Sequence, residues 1–458
     1  MKKLQIVFIA LLFVLLALPL AFFNWEENVV SEIDNRQLTN NPFGPNAEPG
    51  ADLTASLESY VQDRIGFRDE MILGYTLLND QLFHKMIHPL YEYGKDGYVF
   101  FKQKQNVQFG DYHIAFAEML AEIQDYCQAR DVPFLFVLNP EKAAVYPDKL
   151  RDGIHYDRSW VQQFEQKLDE LGVNYIDNTQ LLQDRRAEGE QVFNKVYNAG
   201  HWNDLGAFYG VNNILESLSG FFPSIQPNEL GDFAVTETLQ ETLLSSQFPI
   251  HEYEPTFGRL CELEVKTEEY DAEVARNSQH RGFGYFVNPE NVAAGAPKTL
   301  VFQGSYMNGM GYKFLQTGLG EYIYVHDYEN LMDFDYYFNI FQPECVVVEV
   351  AEYTVNSGYF NAERVENFSL NPVLTLDDAA RQADKQSLAP QIAEGERLST
   401  LTVSLPEGTR YAYLLSEGKT FDLIEGEQGW QASVEKENFS ADYTVVAVGA
   451  DGEQTRYR

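Results

Sequence analysis

The sequence predicts an α/β protein. It reads as a parallel sheet with helices on both faces, preceded by a transmembrane helix and followed by a small all-β, sandwich-like module. Three observations carry this reading. Over residues 111–220 and again over 299–350, apolar strand-like runs alternate with helical periodicity and no hairpin turn intervenes. From about residue 370 onward, short alternating strands are separated by glycine-containing turns. At the amino end, Leu4 to Phe23 is an apolar run interrupted only by Gln5 and Pro19, and about 20 such residues cross a bilayer as a helix.

Met1-Lys2-Lys3 precedes that run and Glu26-Glu27 follows it, so the positive-inside bias leaves the amino terminus in the cytoplasm and the bulk outside. A cleaved signal would have a shorter apolar core and a small-x-small site. Pro19-Leu20-Ala21 fits that site poorly, so residues 1–23 are read as an uncleaved signal-anchor. Residues 24–51 form a linker whose end, Asn40 to Gly50, is rich in Pro, Gly and Asn. Helical periodicity then runs from Asp52 to Met86, with Leu57, Tyr60, Val61 and Ile65 on one stripe and Ile72, Tyr75, Leu78 and Leu82 on the next. A break falls near Arg64-Ile-Gly-Phe-Arg68, and Gly94 to Phe101 reads as a turn feeding a strand.

The α/β domain is assigned to 52–365. Its expected helices are Tyr112–Ala129, Ser159–Leu171, Asp204–Leu218 and one from about Asn308. Its expected strands are Pro133–Leu138, Val173–Ile176, Thr299–Phe302, Tyr322–Val325 and Cys345–Val350. Residues 221–290 are irregular and acidic and read as an insertion. The β-sandwich-like module spans 370–458, with strands Leu398–Ser404, Tyr411–Leu415 and Tyr443–Val448.

Composition narrows the function. With 33 Lys and Arg against 69 Asp and Glu, the net charge of −36 repels phosphates, and no basic cluster beyond Lys2-Lys3 offsets it, so nucleic acid is excluded as a partner. Cys127, Cys261 and Cys345 are too few and wrongly spaced for a disulfide framework or a metal motif. His84 and His88 have zinc-pair spacing but lack the glutamate of H-E-x-x-H, so no metal and no cofactor is expected.

Two short stretches carry chemistry: Tyr197-Asn-Ala-Gly-His-Trp202 and Val301-Phe-Gln-Gly-Ser-Tyr306. Ser305 follows a strand where the chain turns into a helix, a place that suits a nucleophile or a capping serine equally. Gly304, Asn308 and Gly309 surround it with small residues and backbone donors that would suit an oxyanion. His201, framed by Gly200 and Trp202, would accept the proton, and Asp204 is a candidate cap for the helix that follows. Glu349 and Glu352 lie at the carboxyl end of an apolar strand, where open α/β sheets place their sites. Lys142 also follows a strand and would bind substrate or form a salt bridge.

Taken together these segments resemble the SGNH hydrolase-like family of alginate O-acetylation proteins (AlgX/AlgJ type) and its relatives with a D-H-H-W motif. The matching stretches are Asp63 to Arg68, Gly94 to Phe100, Pro140 to Pro147, Gly200 to Trp202, Gln303 to Tyr306 and Pro343 to Glu352, in the family's order. The resemblance implies an SGNH-hydrolase-like (flavodoxin-like) sheet. It also implies an extracytoplasmic O-acetyltransferase or acetylesterase on an exported or cell-wall polysaccharide, with Ser305 as nucleophile and His201 as base. Trp202 and Lys142 would face substrate, and a separate multispanning membrane acyltransferase would supply the acetyl groups. The family's aspartate precedes its histidine by two residues, and here that position is Ala199; Asn198 is a neighbour but carries no charge. Either Asp204, Glu349 or Glu352 takes over as the orienting acid, or the protein is a weakened member that serves as a polysaccharide-binding or assembly scaffold.

Overall fold

The structure, a computed structural model, describes residues 2–31, 33, 36–47, 52–88, 90–102, 107–243 and 248–458. Met1, residues 48–51 of the expected linker and residues 244–247 of the expected insertion lie outside them.

Among the described residues the central sheet has seven strands. They are β1 (Phe134–Asn139), β2 (Tyr175–Asp177), β3 (Glu264–Val265), β4 (Phe283–Val287), β5 (Lys298–Gln303), β6 (Glu321–His326) and β7 (Cys345–Ala351). Their spatial order is β2-β1-β7-β5-β6-β4-β3. The first five are mutually parallel, whereas β4 and β3 extend the edge antiparallel.

Because β1, β5 and β7 are covered on both faces, their middles read as apolar runs, broken in β7 only by Glu349 near its end. Alternate residues feed opposite cores, as the two-residue period of a strand requires. Phe134, Phe136, Leu300, Phe302, Val346 and Val348 pack against helices Asp111–Gln128, Ser159–Leu171 and Phe334–Phe341. Leu135, Val137, Val301 and Val347 pack against Asp204–Ser219 and Tyr312–Gly318.

The expected insertion over 221–290 is more ordered than its composition suggests. Phe233–Thr242 and Pro249–Arg259 pair as a hairpin, and β3 and β4 bring the end of this segment into the central sheet. Phe283, Tyr285 and Val287 bury alternate side chains there, a pairing that depends on β6 and leaves only a short alternation in the sequence.

The carboxyl-terminal region is one eight-stranded sheet among the described residues, of which all but the edge pair Arg381–Ala383 and Gln454–Tyr457 run antiparallel. It curls around Leu401, Leu414, Phe421, Val434 and Val445. The region docks on the helix Phe334–Phe341, where the Asn339 side chain donates to Asp422 O (2.8 Å) and accepts from Asp422 N (3.0 Å). The Tyr126 hydroxyl donates to the Asp422 carboxylate at 2.6 Å.

At the amino end, helix Lys2–Ala21 contains an 18-residue stretch, Leu4–Ala21, with mean hydropathy 2.8 and none of it buried. It is the one helix among the described residues long and apolar enough to cross a membrane. Two further helices, Leu53–Arg64 and Arg68–Phe83, follow, separated at Ile65-Gly-Phe67.

Candidate active site

Ser305 and His201 are brought together at the carboxyl edge of the sheet, where strands end and helices begin. β5 stops at Gln303, Gly304 makes the turn, and Ser305 and Tyr306 open a helical turn that widens to a π turn over Met307–Gly311. Wide turns of this kind recur at functional sites because they re-aim side chains locally. Behind the turn, Gly304 N–H donates to Glu349 Oε2 on β7 at 2.9 Å. Any side chain at 304 would approach the Asp327 carboxylate, 3.3 Å from where a Cβ would lie.

His201 sits on a loop held from three sides. The Tyr306 hydroxyl lies 2.6 Å from Pro140 O and 2.7 Å from Gly200 O, and the Trp202 indole N–H donates to Tyr306 O at 3.1 Å. The Glu252 carboxylate, from the 249–259 hairpin strand, accepts the N–H groups of Lys195, Val196 and Tyr197 at 2.6, 2.8 and 2.6 Å. Gly200 lies flat against the Phe101 ring: a Cβ there would be 1.9 Å from a ring carbon. The serine turn and the histidine loop are therefore laced to each other rather than merely adjacent.

Within this frame His201 Nε2 is 2.8 Å from Ser305 Oγ, and His201 Nδ1 is 2.8 Å from Asn198 Oδ1. An amide oxygen accepts a hydrogen bond, so it selects the tautomer with hydrogen on Nδ1 and leaves the Nε2 lone pair facing the serine hydroxyl. Burial pulls the His201 imidazole down to about 4, which keeps the ring neutral and basic at neutral pH. Asn198 adopts a left-handed backbone with φ 51°, a conformation that Asn tolerates better than most residues. The Tyr353 hydroxyl completes the cluster, 3.1 Å from Ser305 Oγ and 3.4 Å from His201 Nε2. Burial raises the Tyr353 phenol and keeps its proton on.

The three candidate orienting acids are engaged elsewhere. Asp204 accepts from Phe257 N at 2.9 Å and pairs with Lys313 Nζ at 2.6 Å. It is not the helix cap either: Asn203 is, accepting from Gly206 N at 3.0 Å. Glu349 accepts from Asn139 Nδ2 at 2.6 Å as well as from Gly304. Burial, aided by the nearby Asp327 charge, pushes its carboxyl up to about 8. Glu352 accepts from Glu141 N (2.9 Å), Tyr156 (2.7 Å) and Arg158 Nε (2.8 Å). Each is positioned by a neighbouring strand end or loop, and the contact to His201 Nδ1 comes from Asn198.

The candidate substrate contacts also separate. Trp202 is fully buried, its ring beneath the site at 5.1 Å from the Tyr306 ring. Lys142 is buried too, donating to Val99 O at 2.7 Å and Lys195 O at 3.0 Å, and burial lowers its ammonium to about 7. Both act as internal struts, because an indole or an ammonium enclosed this way cannot reach a ligand. Gly304 N–H is taken by Glu349, and Asn308 N–H bonds back to Gly304 O at 3.1 Å while its side chain accepts from Gln303 at 2.7 Å. Asn308 and Gly309 are exposed beside the serine turn.

Asn198 and Tyr353 are the members of the cluster that residue patterns did not assign. Asn198 stands three residues before His201 on the same loop, and Tyr353 directly follows Glu352 past the carboxyl end of β7. That position was the available signal for Tyr353.

Comparison with known proteins gives a family-model match and several similar solved structures. No curated protein matches the chain. Among solved structures, Bacillus cereus PatB1 is 14% identical with a TM-score of 0.43, the match covering 57% of this chain and 95% of that one. The O-acetyltransferase domain of Pseudomonas putida AlgJ is 16% identical with a TM-score of 0.40, covering 61% and 99%. Pseudomonas aeruginosa AlgX is 14% identical with a TM-score of 0.41, covering 80% and 89%. The family model described as "SGNH hydrolase-like domain, acetyltransferase AlgX" matches residues 92–286. Over those residues, fewer than half of the chain, the protein is similar to an SGNH hydrolase-like domain of the AlgX acetyltransferase type.

Proposed function

We propose that the protein is an extracytoplasmic, membrane-anchored O-acetyltransferase or acetylesterase that acts on an exported or cell-wall polysaccharide. The observation that carries this reading is the relay Asn198–His201–Ser305, with both imidazole nitrogens in 2.8 Å contacts. The AlgX-type family match supports the reaction class. Ser305 Oγ attacks the acetyl carbonyl as its proton passes to His201 Nε2, and the imidazolium returns that proton to the departing donor group. In the second half, His201 takes the proton of a sugar hydroxyl, or of water for hydrolysis, as that oxygen attacks the acetyl-serine. Ser305 then leaves with the proton restored. The Tyr353 O–H, 3.1 Å from Oγ, donates to the oxygen that gains charge. The Leu4–Ala21 helix anchors the chain, and acetyl groups arrive from a separate multispanning membrane acyltransferase.

A second reading has one observation in its favour. An amide at Asn198 gives the imidazolium no compensating charge, which suits a weakened member that chiefly binds polysaccharide or holds an assembly together. The full chain in detergent, given p-nitrophenyl acetate, separates the two. Wild type releasing acetate while Ser305→Ala and His201→Ala do not supports the enzyme. Equal rates in all three leave the scaffold.

A further inference from the structure

Two helices beside the amino-terminal span bury polar side chains and expose an apolar stripe, although Leu73 and Leu77 of the second pack inward. In Leu53–Arg64 the buried residues are Tyr60, Asp63 and Arg64, while Leu53, Leu57 and Val61 are 53%, 42% and 41% exposed. In Arg68–Phe83 the buried residues are Thr76 and Asn79, while Met71, Tyr75, Leu78 and Leu82 are 47%, 57%, 53% and 63% exposed. The latter four follow the i, i+4, i+7, i+11 spacing of one helical stripe. A helix facing water shows the opposite arrangement.

The motif Asp63-Arg-Ile-Gly-Phe-Arg68, which the catalytic reading leaves unused, accounts for the polar interior. The Asp63 carboxylate accepts from Arg36 at 2.9 and 2.6 Å and from Thr39 N and Oγ1 at 2.9 and 2.8 Å. Arg64 donates to Thr39 O at 2.9 Å, to Asn40 Oδ1 at 3.0 Å and to Glu26 O. Gly66 N–H donates to Pro19 O inside the apolar helix at 2.9 Å, and Asn24 N–H donates to Arg64 O at 2.7 Å. A Cβ at Gly66 would lie 2.5 Å from Phe22 O, and the Phe67 ring sits 5.0 Å from that of Phe22. The motif thus clamps the end of the apolar helix directly onto the helix pair.

We infer that the exposed apolar stripe of these two helices lies in the headgroup region of the bilayer, so that a surface contact as well as the span holds the domain. The inference rests on reading Leu4–Ala21 as a membrane span. Lipid is the occupant because the clamp makes the stripe continuous with the end of that helix. The junction also exposes Phe22 and Trp25, at 59% and 73%, and aromatic residues favour the headgroup level. Attraction to anionic lipid is not the source: the basic residues within 53–83 are Arg64, which is buried, and Arg68, 15% exposed and paired with Asp69.

The test uses the full chain carrying Cys261→Ser, reconstituted in phosphatidylcholine vesicles, with a fluorophore on Leu78→Cys, Tyr75→Cys, Leu12→Cys or Glu188→Cys. The labels at 78 and 75 should lose at least about half their fluorescence to nitroxide lipids labelled near the headgroup and resist aqueous iodide, unchanged by salt, while the label at 188 does the reverse. Labels at 78 and 75 open to iodide, with the label at 12 quenched by lipid, would overturn the inference and leave the anchor standing. A label at 12 untouched by lipid would end the anchor reading itself. Labels at 78 and 75 shielded from iodide yet unquenched by lipid would mean that protein covers the stripe, which also overturns it.

Discussion

Replacing Asn198 by Asp tests the relay most directly, because it changes charge and almost nothing else. Asn198 Oδ1 is 2.8 Å from His201 Nδ1, and Asp also tolerates the left-handed backbone found there. With charge centres ~4 Å apart and an effective dielectric of ~20, a carboxylate attracts the imidazolium by about 4 kcal/mol. At 1.36 kcal/mol per pKa unit that is roughly three units. The His201 imidazole, held at about 4 by burial, should therefore titrate at roughly 6 to 7 in the variant. The base works when neutral, above its pKa, so the acid limb of the pH–rate profile should move from about pH 4 to about pH 6–7. At pH 8 the imidazolium formed in the transition state keeps the stabilisation, and acetyl release should rise on the order of 10²-fold. The assay is p-nitrophenyl acetate turnover from pH 4 to 9, wild type against Asn198→Asp. An acid limb that stays in place, with no gain at pH 8, would refute the claim that Asn198 orients the base.

Three further expectations follow from the same geometry. Tyr353→Phe removes the O–H beside Ser305 Oγ and should lower turnover by about 10- to 100-fold with the thermal midpoint unchanged; an unaltered rate would remove Tyr353 from the site. Tyr306→Phe strips the hydroxyl from the buried carbonyls of Pro140 and Gly200, and denaturant unfolding should register a loss of about 1–3 kcal/mol. Glu349, raised to about 8 in the fold, binds its proton more tightly folded than unfolded. Its contribution is full below the unfolded carboxyl pKa and fades as pH rises through about 8. Glu349→Gln should therefore flatten the decline of stability between pH 5 and 8, and equal slopes in both proteins would show that the carboxylate is ionised when folded.

The strand–helix alternation was legible because β1, β5 and β7 are covered on both faces, which forces predominantly apolar runs between helices of regular periodicity. Ser305 was visible for a similar reason: a small polar residue after such a run, followed by glycines, marks a strand-to-helix turn. The region 221–290 was not legible, since the pairing of β4 depends on β6 and a five-residue strand leaves little trace alone. Nor were the burial of Lys142 and the exposed apolar stripe of helices Leu53–Arg64 and Arg68–Phe83. Periodicity says that apolar residues share a face, not which way that face points.

By itself, then, the order of residues determined most of the local elements, the acidic charge, the apolar amino-terminal helix and the two segments proposed to carry acyl chemistry. Such features arise from interactions a few residues apart. Only the tertiary structure decided that an imidazole and a hydroxyl 104 positions apart meet, that an amide rather than a carboxylate holds the ring, and that a phenol from the end of β7 joins them. Those choices follow from how the sheet orders its strands and how Tyr306 and Glu252 pin the histidine loop, contacts made between segments far apart in the chain.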